Sequence, residues 1–125
     1  MVKDRRPVNL NLLTIRQPIT AVVSIFHRIT GLILFLALPL MLWAMGLALS
    51  NPEGFNTVAS YLLLPQGQVL FMLIWASTAF HLCAGCRHII MDFGWGESLA
   101  VGRMTAYGVV ILSLVLVILG GIWLC

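Results

Sequence analysis

Two short stretches of an otherwise apolar chain concentrate the side chains able to do chemistry. One is Ser24-Ile25-Phe26-His27-Arg28-Ile29-Thr30-Gly31; the other is His81-Leu82-Cys83-Ala84-Gly85-Cys86-Arg87-His88, followed by Asp92. Read as a helix, the first places Ser24, His27 and Arg28 at i, i+3 and i+4, on a shared face. A hydroxyl, an imidazole and a guanidinium together suit an anion or a carbonyl oxygen. The competing reading is interfacial anchoring, with Arg28 extended toward lipid phosphate. In the second stretch, a turn of about 100° per residue puts His81, Gly85, His88 and Asp92 in one narrow sector, extended by Ser77 and Ile74. Arg87 points well away from that sector.

Ionisable residues inside a membrane are costly and mark functional sites. A neutral imidazole at the depth of His81 needs a partner. Haem iron is one such partner, and a hydrogen bond to another helix is the other. Gly85, one turn below, removes the side chain that would block a flat macrocycle. His88, closer to the surface, reads as an interfacial or supporting residue. The run Cys-Ala-Gly-Cys-Arg-His does not fit covalent haem attachment, which needs histidine directly after the second cysteine. Cys83, Cys86 and Cys125 read as small hydrophobes rather than as a disulfide framework.

The elements that must position these residues follow from composition. The chain has 125 residues, 61% of them hydrophobic and 9% charged, with a mean hydropathy of +1.04. A soluble domain of this size cannot hide so much apolar surface from water. A bilayer-spanning helix needs about 20 mostly apolar residues. Ile29 to Leu49 and Met104 to Cys125 contain no charge, and Val69 to Met91 contains only Arg87. Lipid cannot satisfy free backbone groups, so each must be helical. The expected fold is an all-α membrane protein with three transmembrane helices in a single domain. Its predicted parts are an N-terminal segment at 1–20 and helices at about 21–49, 69–91 and 104–125. Pro39 is tolerable within the first helix and bends it. A cleaved signal peptide is the competing reading of the N-terminus, but the apolar stretch starts too late and runs too long.

Charge sets the orientation. Lys3, Arg5, Arg6, Arg16 and Arg28 precede or enter the first helix, and Arg87 and Arg103 flank the second connection. All seven basic residues therefore fall on one side, predicted to be cytoplasmic, with the C-terminus periplasmic. The net charge of +3 reflects this bias and gives no indication of nucleic acid. Val8, Leu10 and Leu12 alternate with asparagines, which fits an extended segment on a protein surface; a disordered basic tail near anionic lipid fits equally. Asn51-Pro52-Glu53-Gly54 is a turn signal. After it, Phe55, Val58, Ala59, Leu62 and Leu63 recur at helical spacing, as in a short interfacial helix.

Arg6-Pro7-Val8-Asn9-Leu10, Ser24-Ile25-x-His27-Arg28-x-x-Gly31 and His81-x-x-x-Gly85-x-Arg87-His88-x-x-Met91-Asp92 together resemble the cytochrome b556 subunits of succinate dehydrogenase. These are the larger membrane anchors of complex II, and the likeness is to the proteobacterial type. It covers nearly the whole chain; Gln17 departs from it, where an aromatic residue is expected before Pro18. The resemblance implies a bacterial inner-membrane complex of the respiratory chain and the tricarboxylic acid cycle. A flavoprotein subunit with FAD oxidises succinate, an iron–sulfur subunit carries the electrons, and a second small three-helix anchor shares one haem b and the ubiquinone site with this chain. It implies His81 as the axial haem iron ligand, His27 and Arg28 at the haem propionates, and Ser24 and Arg28 at the quinone. Gly85, Arg87, His88 and Asp92 are supporting or interfacial candidates. No catalytic residue for succinate oxidation is expected in this chain alone.

Two other functions fit parts of this pattern. The anchor of a quinol:fumarate reductase would have similar helices and reversed flux. A small proton-conducting protein could use His81 and Asp92, but would not require the His27–Arg28 pair.

Overall fold

The computed structural model describes residues 16–124; the alternating segment around Asn9 lies outside them. Four helices follow one another: α1 (Ile19–Ser50), α2 (Pro52–Leu63), α3 (Pro65–Asp92) and α4 (Leu99–Leu124). Three of them, α1, α3 and α4, are long and apolar enough to cross a membrane. Pro18 starts α1 from an extended conformation, its carbonyl accepting from the amides of Ala21 and Val22. Pro39 sits inside α1, which continues through it although proline supplies no amide for the carbonyl four residues back.

The turn signal at Asn51 becomes a helix junction. Asn51 is extended and ends α1, while its Oδ1 accepts from the Gly54 amide at 2.7 Å and caps α2. Pro52 follows at the first helical position and Glu53 lies in the first turn, both favoured there. Leu64 and Pro65 repeat this break-and-restart between α2 and α3. Between α3 and α4, Gly94 and Gly96 adopt φ of 81° and 82°, a region that a side chain disfavours.

Helix α3 packs along both α1 and α4, which also touch each other, and α2 lies across the end of α1 and the start of α3. The core is thin. Val23, Cys83, Ala84, Ala106 and Val109 are buried together, flanked by Ile19, Phe80, Val110 and Leu116. Such small side chains let helix backbones approach, which is how helices associate where lipid is as apolar as protein. Most large apolar side chains instead face outward, among them Phe35, Leu36 and Trp43 on α1. None of the most apolar window of α1 is buried.

A latch joins α3 to α4 on the side of His81 away from the α3–α4 connection. The Trp75 indole donates to the Leu116 carbonyl at 2.9 Å and fills the notch left by Gly120, where any Cβ would collide with it. Gly120→Ala should therefore destabilise the chain by about 1–3 kcal/mol, the usual cost of overpacking. Thermal unfolding in detergent measures this. Adding Trp75→Leu should recover most of the loss, since contacting residues are non-additive.

Candidate functional site

The residues with chemical potential gather where α1 crosses α3. Thr30 and Gly31 of α1 face His81 of α3. The His81 Nδ1 lies 3.1 Å from the backbone carbonyl of His27 and 3.4 Å from the Thr30 hydroxyl. A carbonyl oxygen only accepts, so Nδ1 carries the proton and donates. The Thr30 Oγ1 donates back to the carbonyl of Phe26 at 2.8 Å, which leaves its lone pairs toward the imidazole. Thr30 is buried and His81 half-buried, so these bonds form away from bulk water.

With Nδ1 engaged, the neutral His81 ring presents an unprotonated Nε2. This is the tautomer of metal-ligating histidines, whose other nitrogen is held by a carbonyl or carboxylate. Gly31 permits the arrangement, because a Cβ there would lie 2.9 Å from the His81 Cε1 and push the ring aside. The His27 ring stacks on His81 with centroids 4.2 Å apart and planes 18° apart. Stacking occupies the face of the His81 ring, and its Nε2 makes no hydrogen bond among the described residues. His88 approaches from the other side, 5.0 Å from His27. Phe26 and Phe80 close the flank, with centroids 6.0 Å apart.

The structure sets His27 beside His81. Helix α1 begins at Ile19, well ahead of its uncharged stretch, so His27 lies about 12 Å along it at 1.5 Å per residue. His81 lies about 16 Å from the end of α3 on the same measure, so the antiparallel helices bring the two rings level. Gly85 belongs to this cluster, though in the chain alone it faces the His27 Nε2 at 3.4 Å from a built Cβ.

Other candidates lie apart. Ser24 is half-buried and Arg28 exposed; they share a side of α1, one turn apart, and neither bonds a histidine among the described residues. Asp92 is exposed at the last position of α3. Arg87 is buried and turns to α4, bonding Thr105 and the Gly102 carbonyl. It takes no part in the histidine cluster. Thr30 and Gly31 were quoted as motif residues but given no role. A glycine inside a helical run, four residues after His27, was the available signal of close approach.

Comparison with known proteins bears on what this cluster does. Residues 2–120 match the family described as succinate dehydrogenase/fumarate reductase transmembrane subunit. The succinate dehydrogenase cytochrome b556 subunit of Coxiella burnetii is 41% identical over 123 residues, covering 96% of this chain and 97% of that protein. The subunit of the same name from Rickettsia prowazekii is 30% identical, covering 94% of this chain and 92% of its own length. That of Paracoccus denitrificans is 31% identical, with 94% and 90% covered.

Proposed function

Since the chain belongs to the succinate dehydrogenase/fumarate reductase transmembrane subunit family, we propose that it is the haem b-binding membrane anchor of a succinate:ubiquinone oxidoreductase. Its family and its three apolar helices make it a multi-pass membrane protein. The observation that carries the haem reading is the His81 imidazole, fixed through Nδ1 to the His27 carbonyl with Nε2 left open. One chain supplies one such ligand, so a further ligand would come from a second small anchor.

Bound there, the haem would supply a one-electron redox centre between the helices. The residues of this chain do the positioning. The His27 carbonyl and Thr30 hold the His81 ring, and Gly31 keeps its approach clear. His27 and Arg28 would hold the haem propionates, and His88 would line the same side. Ser24 donates to a ubiquinone carbonyl, and the Arg28 guanidinium stabilises the negative charge that develops on that oxygen as electrons arrive.

The excess of basic residues at the start of α1 and around the α3–α4 connection supports a cytoplasmic location for that end. There an iron–sulfur subunit and a FAD-bearing flavoprotein dock and deliver electrons from succinate. The C-terminus lies on the periplasmic side of a bacterial inner membrane.

Purification of the complex through this chain tests the assignment. A flavoprotein, an iron–sulfur protein and a second small anchor should co-purify, with a haem b absorbance that succinate or a quinol reduces. A preparation without a reducible haem band overturns the reading.

A further inference from the structure

Arg87 is 6% exposed. Its Nε donates to the Thr105 hydroxyl at 3.1 Å and its Nη2 to the Gly102 carbonyl at 3.2 Å. Both partners are neutral. Asp92 and Glu97, the carboxylates nearest in sequence, are exposed, and neither bonds Arg87 among the described residues. A buried cation without a counter-charge is costly, and a guanidinium carries five N–H donors. Nη1 makes no bond among the described residues, yet no side-chain nitrogen there is both buried and unpartnered. Among the described residues Nη1 is thus left without a partner, and Arg87 lines an adjoining space.

That space is a cavity of about 330 Å³ between the end of α3 and the start of α4. Beyond Arg87 and Thr105, its walls include Cys83, Ile90, Trp95 and Val101. Apolar walls with one cation at the base suit an amphiphile with an anionic head rather than water. The cavity lies at the basic end of the bundle, where transmembrane helices end and headgroup phosphates sit, and Trp95 is exposed there as aromatic residues are at that level. We propose that this cavity is a binding site for an anionic phospholipid, whose phosphate is received by Arg87 and whose glycerol backbone lies against Ile90 and Val101. The site is separate from the histidine cluster, because Arg87 leaves the opposite side of α3 and bonds α4.

The test counts lipids on the intact complex by native mass spectrometry, after delipidation and back-titration with phosphatidylglycerol or phosphatidylcholine. Wild type should hold phosphatidylglycerol about tenfold more tightly than phosphatidylcholine, because both offer a phosphate but the quaternary ammonium of the latter offsets its charge beside the Arg87 cation. Arg87→Gln should remove that preference. Val101→Trp, which fills the cavity and spares both Arg87 bonds, should remove it too. Excess inorganic phosphate should leave the lipid in place. Equal retention of the two lipids by wild type overturns the proposal, as does undiminished phosphatidylglycerol on Val101→Trp or displacement by phosphate alone. A wild-type complex that retains no lipid, as when a partner's carboxylate fills the cavity, overturns it as well.

Discussion

A complex carrying His81→Ala is expected to lose its haem b absorbance while its soluble subunits stay attached. The imidazole is the group whose Nε2 is left open by an engaged Nδ1, and alanine removes both nitrogens at once. Neither neighbouring histidine can simply take over. His27 stacks against the ring that has been removed and lies on another helix, while His88 is two helical turns away along α3. The substitution leaves a hole beside Gly31 but disturbs little of the core, since Val23, Ala84, Ala106 and Val109 pack elsewhere. Co-purification of the flavoprotein then separates lost ligation from lost assembly. Thr30→Val should have a milder effect of the same kind, weakening haem retention about 10–100-fold as outer-shell partners of metal-bound histidines do. An unchanged spectrum in His81→Ala removes His81 as the ligand.

The second large effect concerns Arg28. Arg28→Leu should slow ubiquinone reduction by about 10²–10³, the range for losing a donor that stabilises developing oxyanion charge. Ser24→Ala should cost about tenfold, in line with a neutral hydrogen bond of roughly 1 kcal/mol. Arg28 is exposed and Ser24 only half-buried in this chain, so neither change opens a core cavity. Succinate oxidation measured with an artificial acceptor, which draws electrons before the membrane, should be preserved in both variants. Equal losses in the two assays would mean a general assembly defect and would sink the quinone role.

The three long helices were legible in the sequence because charge-free stretches of spanning length have few other uses. The short helix α2 was legible from the spacing of Phe55, Val58 and Leu62, and its cap from Asn51-Pro52. Contacts between helices were less accessible. His81 could be singled out on α3, but its partner is a backbone carbonyl on α1, and a main-chain atom leaves no residue-type signature. Thr30 and Gly31 matter through a crossing geometry that periodicity within one helix does not determine. Arg87 was correctly turned away from the histidine sector by helical angle, yet its burial against Thr105 depends on where α4 begins. The Trp75–Gly120 latch likewise pairs residues on different helices, and neither is unusual in its own segment.

The outward-facing middle of α1 has a consequence for the cell's accounting of subunits. A chain whose longest helix contributes nothing buried from its most apolar stretch buries of that helix only Val23 and Thr30, both near its start. Synthesised in surplus, it would display Phe35, Leu36 and Trp43 as a lateral surface open to membrane proteases and to chance association. Its lifetime should thus be set by how soon a partner helix covers that surface. Expression of this chain and of the subunit that covers it then needs to be matched, and turnover of the unmatched copy becomes the means by which stoichiometry is corrected.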